Sequence, residues 1–303
     1  MKKAVLIHNP TAGSGEHEKA EVKKMITSAD YDVTYFSTDQ PGWQEFTSKD
    51  PEIIFVAGGD GTVQKLAQTL LISKNAEVSK IPVQILPFGT ANNIAHTLEI
   101  PSEINSENLK KEKQVKSFDI GQISGIDSFD FFIEGMGFGI FPKLIREMEK
   151  NEVEIEDPDK ELRVILMNLI EIVKDFEAKE AEIIIDDEAI KANFLLVELL
   201  NIKFIGPQFY LAPEADPGDG KFDLVVIPEE NRALLVQYLE DLLQGRKNET
   251  SLRSLSKTYR GKKAVLQWKG EEVHVDDDLL KHYKNEKIVV EVDPGRLQFL
   301  VED

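Results

Sequence analysis

Ile53-Ile54-Phe55-Val56-Ala57-Gly58-Gly59-Asp60-Gly61-Thr62 decides the architecture. Residues 53–57 are apolar without alternation, the pattern of a strand buried on both faces. Glycines at 58, 59 and 61 turn the chain, and helical apolar spacing then runs over 62–73. The same unit recurs on either side. An apolar run over 3–8 ends in Asn9-Pro10-Thr11-Ala12-Gly13-Ser14-Gly15, ahead of a helical pattern through Ala29. Residues 31–36 are β-rich, and 83–86 lead through Pro87-Phe88-Gly89-Thr90-Ala91-Asn92-Asn93 into a helical pattern over 90–98. Apolar strands that alternate with helices predict a parallel sheet covered by helices. Ligands bind such sheets outside the carboxyl ends of the strands, where all three glycine loops fall.

The texture changes near residue 120. Strand patterns follow at 129–134, 181–186, 192–200, 222–227, 264–269, 272–275, 288–292 and 297–301, with helices only at 139–150, 160–176 and 230–245. The expected fold is an α/β N-terminal nucleotide domain over 1–120 and a β-rich, sandwich-like second domain over 121–294. A last strand, about 295–303, is expected to return to the first domain.

Composition narrows the function. The chain has 303 residues and a net charge of −19, which opposes general binding to nucleic acid. With no cysteine, disulfides and thiolate zinc sites are excluded. The start Met-Lys-Lys leads into too short an apolar run for a signal peptide, and the apolar stretch 162–173 is broken by Arg163, Asn168 and Glu171. A cytoplasmic protein is expected. Charge is uneven: residues 147–161 carry −6 and residues 246–263 carry +6. The basic segment is read either as a contact with anionic lipid, peripheral to the membrane, or as a partner of the acidic one.

Glycines between a strand and a helix let the backbone approach a phosphate, and the helix N-terminus supplies free N–H groups. Asp60 within that loop either caps the helix or holds a metal or a substrate hydroxyl. No Walker A pattern is present. Gly135-Met136-Gly137-Phe138-Gly139 has the wrong spacing for a dinucleotide fingerprint and reads as packing or a turn. The histidines form no helical pair or close cluster, so core or solvated roles are expected.

The three loops, with Phe118-Asp119-Ile120-Gly121, Leu211-Ala212-Pro213-Glu214, Asp219-Gly220-Lys221-Phe222-Asp223 and Val275-Asp276-Asp277-Asp278, resemble the diacylglycerol kinase catalytic-domain family. These bacterial lipid kinases are related to sphingosine and ceramide kinases. The resemblance implies an ATP site lined by Asn9, Thr38, Gly58, Gly59, Asp60, Gly61, Thr62, Gln64, Gly89, Thr90 and Asn92. It implies a structural Mg2+ at the Asp219 carboxylate and the backbone oxygens of Asp216 and Lys221; an acidic surface turn is the alternative. Asp276 corresponds to the catalytic carboxylate, with Asp278 in the acidic third position and Asp60 as a further candidate.

Departures from the family pattern are Gln64-Lys65 for Asn-Glu, Asn93 for aspartate, and Asp277 for glycine. The expected activity is ATP-dependent, magnesium-requiring phosphorylation of a hydroxyl on a diacylglycerol-like or sphingoid-like lipid. Alternatives are an NAD kinase-like enzyme with a soluble acceptor, and a degenerate nucleotide-binding regulator without turnover.

Overall fold

In the computed structural model, residues 1–13, 17–73, 77–151, 158–246 and 252–302 are described. Ser14 and Gly15 of the first loop, 152–157 of the acidic segment and 247–251 of the basic segment lie outside the described residues. Contacts divide the chain into two units. One comprises Met1–Asp119, Gly206–Gln208 and Pro294–Asp303, the other Ile120–Ile205 and Phe209–Asp293.

The first unit contains β1 (Lys2–His8), β2 (Tyr31–Ser37), β3 (Ile53–Gly58) and β4 (Val83–Pro87). They pair in parallel in the order β2-β1-β3-β4, and Phe299 of the C-terminal strand extends the sheet in parallel beside Val83. Every residue of β3 and β4 is buried, which is why their sequences lack polar alternation. Helices α1 (Lys19–Thr27), α2 (Asp60–Ile72), α3 (Asn93–Thr97) and α4 (Ser106–Lys110) belong to the same unit. One face of the sheet packs Leu6, Phe55 and Leu86 against Val22 and Ile26 of α1. Registers His8↔Ala57 and Gly58↔Pro87 bring the carboxyl ends of β1, β3 and β4 to one edge.

The boundaries differ from the sequence reading where local chemistry is ambiguous. Helix α2 starts at Asp60, two residues before the predicted start at 62, so Asp60 is helical. Only Asn93–Thr97 of the predicted 90–98 helix forms, because Asn92 sits at φ 51 and turns the chain ahead of it. An unpredicted strand, β5 (Lys113–Ser124), runs through the family-like Phe118–Gly121 stretch.

The second unit adds β6 (Phe131–Phe132), β7 (Gly135–Gly139), α5 (Ile140–Asn151), α6 (Pro158–Asp175), β8 (Lys179–Ile185), β9 (Glu188–Leu200), β10 (Phe204–Ile205), β11 (Phe209–Tyr210), β12 (Phe222–Pro228), α7 (Arg232–Leu243), α8 (Leu252–Leu255), β13 (Lys257–Gly261), β14 (Lys263–Trp268), β15 (Val273–Val275), β16 (Asp278–Leu279) and β17 (Ile288–Glu302). It is β-rich. Its main path runs β16-β15-β7-β9-β8-β14-β17, with β12 also pairing β9 and β13. One core is built from Phe132, Phe138, Phe222 and Trp268, and a second packs α5, α6 and α7 on Leu196 and Val225.

Two expectations change here. Gly135–Gly139 is a wholly buried strand, not a turn, as its packing alternative implied. The segments 288–292 and 297–301 are one continuous strand, since Gly295 takes φ 60 and its N–H donates to the Asp119 carboxylate at 2.7 Å.

Candidate active site

In the first unit the glycine loops are locked to one another. The Asn9 side-chain amide donates to Thr62 Oγ1 at 3.3 Å, while its Oδ1 accepts from the Thr11 N–H and hydroxyl. A Cβ on Gly58 would lie 2.3 Å from Thr62 Oγ1, and one on Gly89 would lie 2.3 Å from Gly59 Cα. Two loops thus meet glycine to glycine. Asn92 holds the second of them, accepting from Gly89 N–H at 3.0 Å and donating to the Gly89 carbonyl at 2.6 Å. Thr38 follows β2 and is half-buried, with its N–H on the His8 carbonyl. Gly61 is half-buried, Gln64 is buried within α2, and Thr90 and Lys65 are exposed. At the head of α2 the Thr62 and Val63 N–H groups both donate to the Gly59 carbonyl, and the positive end of the helix dipole there suits an anionic ligand.

Asp60 has a specific task. Its Oδ2 accepts from Asn93 N–H at 2.8 Å and its Oδ1 from Ile94 N–H at 3.0 Å. Its carboxylate therefore joins the start of α2 to the start of α3. This is a cap, but of a different helix from the one Asp60 begins. Asn93 explains one departure: its amide donates to the Gly206 carbonyl at 2.9 Å, a bond an ionised aspartate could not donate.

In the second unit, Asp276 and Asp278 sit in the hairpin joining β15 to β16, where Val275 pairs with Asp278. Asp276 takes φ 50. Its Oδ1 accepts from the backbone N–H groups of Ile133 (3.2 Å), Glu134 (2.8 Å) and Gly135 (3.2 Å), and its Oδ2 from Ile133 at 3.2 Å. Burial disfavours the charge, these N–H groups favour it, and burial wins, pushing the carboxyl up to about 7. Asp277 and Asp278 are exposed.

The turn proposed for Mg2+ closes on itself. Asp216 Oδ1 accepts from Gly218 N–H, the Asp216 carbonyl from Asp219 N–H, and Asp219 Oδ1 from Lys221 N–H at 2.9 Å. Arg260 takes the other Asp219 oxygen and lies 3.3 Å from the buried Asp223 carboxylate. A guanidinium already provides the positive charge, and Lys221 N–H and Arg260 take the two Asp219 oxygens, so with Arg260 in place the residues do not fit a divalent cation at Asp219.

Sequence reasoning missed Arg260, His274 and Glu198. Arg260 lies in the basic 246–263 segment, of whose cations Arg246, Arg253 and Lys263 face Asp241, Glu214 and Glu291. His274 and Glu198 are wholly buried and hydrogen-bonded at 3.0 and 3.1 Å. No spacing rule joins two residues so far apart in sequence. The only local signal was a histidine inside the Val-His-Val strand that precedes Asp276.

No helix among the described residues is long and apolar enough to cross a membrane. Comparison with known proteins agrees with the geometry. Residues 3–123 match the family model of the diacylglycerol kinase catalytic domain, and residues 149–301 that of the YegS C-terminal NAD kinase beta sandwich-like domain. A diacylglycerol kinase of Bacillus subtilis (strain 168) is 26% identical over 260 residues, covering 81% of this chain and 80% of that protein. The mitochondrial acylglycerol kinase of Xenopus laevis is 31% identical over 156 residues, 46% of this chain and 36% of that one. The fold is shared with a diacylglycerol kinase crystal structure from Bacillus anthracis str. Sterne (TM-score 0.69, 22% identity, 99% of this chain and 97% of that chain). Yeast NADH kinase complexed with NADH is more distant in fold (TM-score 0.51, 11% identity, 100% and 84% covered). The chain belongs to the diacylglycerol kinase catalytic-domain family, a family of lipid kinases.

Proposed function

We propose that the protein transfers the γ-phosphoryl group of ATP to a hydroxyl of a diacylglycerol-like or sphingoid-like lipid, with Asp276 as the base. The observation that carries this reading is the Asp276 carboxyl, fixed on three consecutive backbone N–H groups yet held near neutrality by burial. A general base works best when its pKa lies near the operating pH. Asp276 accepts the hydroxyl proton as the lipid oxygen attacks the γ-phosphorus. The bond from that phosphorus to the bridging oxygen breaks, and ADP leaves. Magnesium enters as part of the ATP substrate, where it neutralises phosphate charge. The glycine loops of the first unit and the head of α2 supply the phosphate-facing backbone.

Asp278 is exposed beside this base and is assigned no proton transfer. Asp60 organises the nucleotide loops instead of serving as the base. Exposed Lys65 and Asp277 leave these assignments intact, and Asn93 has its own bond to make. Contact with an anionic membrane falls to the exposed Lys257 and Lys262, since Arg260 is engaged.

The test is incubation with labelled ATP and a lipid extract in vesicles. The expected product is a labelled phospholipid whose formation requires the vesicles. Equal transfer to a soluble dinucleotide without vesicles would establish the NAD kinase-like alternative, which the yeast NADH kinase fold keeps in view. ATP binding without transfer to any acceptor would leave a nucleotide-binding regulator.

A further inference from the structure

Three strands of the second unit place a buried acid and a buried histidine in one cross-strand row. Glu198 of β9 is paired with Gly137 of β7, and Gly137 is paired with His274 of β15. Gly137 leaves the space the row needs, because a Cβ there would lie 2.0 Å from Glu198 Oε2. His274 Nε2 meets both Glu198 oxygens, at 3.1 and 3.0 Å, and Nδ1 lies 2.7 Å from the backbone carbonyl oxygen of Asp276. A carbonyl only accepts, so Nδ1 carries a proton. From these contacts we infer that Glu198 and His274 form a positioning dyad that sets the turn bearing Asp276. The inference rests on the reading of Asp276 as the base.

Several observations support this role. Asp276 adopts φ 50, a left-handed conformation that aspartate takes readily in a two-residue hairpin, so its direction is set by the contacts of the turn. Each of its polar groups is fixed: N–H on the Gly135 carbonyl at 2.8 Å, carboxylate on the 133–135 amides, and carbonyl on His274. Without the His274 contact, the carbonyl loses the partner that orients the turn.

Stability alone is a poor reason for the pair, since well-packed apolar residues often replace a buried ion pair without loss. Burial opposes charge on His274, but Glu198 outweighs it and raises the imidazole to about 9, while burial also raises Glu198. Both shifts keep one proton within the pair. The charged groups facing the imidazole are Glu198 from β9 and Asp276 from the turn.

The experiment compares His274→Gln and Glu198→Gln with the parent and with Asp276→Asn, on the labelled lipid product. Small misplacement of a reacting group costs up to about 100-fold. Both dyad variants should therefore lose about 10- to 100-fold in kcat, with the KM for ATP little changed. His274→Gln also removes a cation near the base, so the pH midpoint of kcat/KM should move up. Loss of kcat in Asp276→Asn, with parental kcat and pH midpoint in folded dyad variants, would overturn the dyad alone. Parental turnover in Asp276→Asn would instead remove the base reading. Should His274→Gln fail to fold, Glu198→Gln, which keeps shape and one acceptor oxygen, carries the same comparison.

Discussion

Asp60 and Asp276 both spend their carboxylates on backbone N–H groups, yet they do different work. Asp60 accepts from the first residues of α3, so its negative charge faces a helix N-terminus, the place where it ties two glycine-bearing loops together. Asp276 accepts from the 133–135 segment, and burial still lifts it to about 7. The difference teaches that a carboxylate in a family motif is not assigned a role by its motif. What surrounds it decides whether it anchors backbone or takes protons.

The sharpest way to break the comparison is substitution at the two aspartates. Asp276→Asn should lower kcat by about 100-fold or more, the usual scale of general base catalysis, with little change in ATP affinity measured by calorimetry. Its stability should move the other way. A carboxyl whose folded pKa exceeds its unfolded value stabilises the fold at low pH, and that contribution is lost as pH rises through the folded value. Above about 7, Asp276→Asn, which keeps Oδ1 as an acceptor, should therefore unfold at equal or higher denaturant than the parent.

Gly89→Ala tests the other region. Its Cβ would lie 2.3 Å from Gly59 Cα, where backbone cannot yield cheaply. A loss of about 1–3 kcal/mol in denaturant unfolding, together with weakened ATP binding, is expected. Asp60→Asn should cost less, about 1 kcal/mol, the scale of a lost helix cap. It should weaken ATP binding while leaving the pH midpoint of turnover in place. A displaced midpoint in Asp60→Asn would make Asp60 the titrating group.

The smallest expected effect concerns the metal. With Arg260 on Asp219, magnesium without nucleotide should leave the thermal midpoint where a chelator leaves it. Arg260→Gln should create a midpoint that rises with magnesium concentration, as binding to the folded state alone requires. A metal-dependent midpoint in the parent would restore the structural cation.

Local patterns made half of this legible. The runs at 53–57 and 83–86 are apolar because both faces of β3 and β4 are buried, so composition alone reveals them. Strand β5 carries Lys113, Gln114 and Lys116 on exposed or half-exposed positions, which masks it. Strand β17 crosses Pro294-Gly295, a pair that reads as a break. In the site, glycine loops are contiguous and were visible. The amide cradle of Asp276 comes from a segment 141 to 143 residues earlier, Glu198 lies 76 residues from His274, and Arg260 lies 41 from Asp219. Such partners are set by sheet register, which one sequence does not display.

A single half-buried carboxyl, Asp276, is proposed to take the proton of the lipid hydroxyl. The most direct test is the pH dependence of kcat/KM for lipid-dependent phosphoryl transfer. Activity should rise with pH through a midpoint of about 7 in the parent, and the low residual activity of Asp276→Asn should lack that midpoint. A profile with no titration near neutrality, or the same midpoint surviving in Asp276→Asn, would contradict the account.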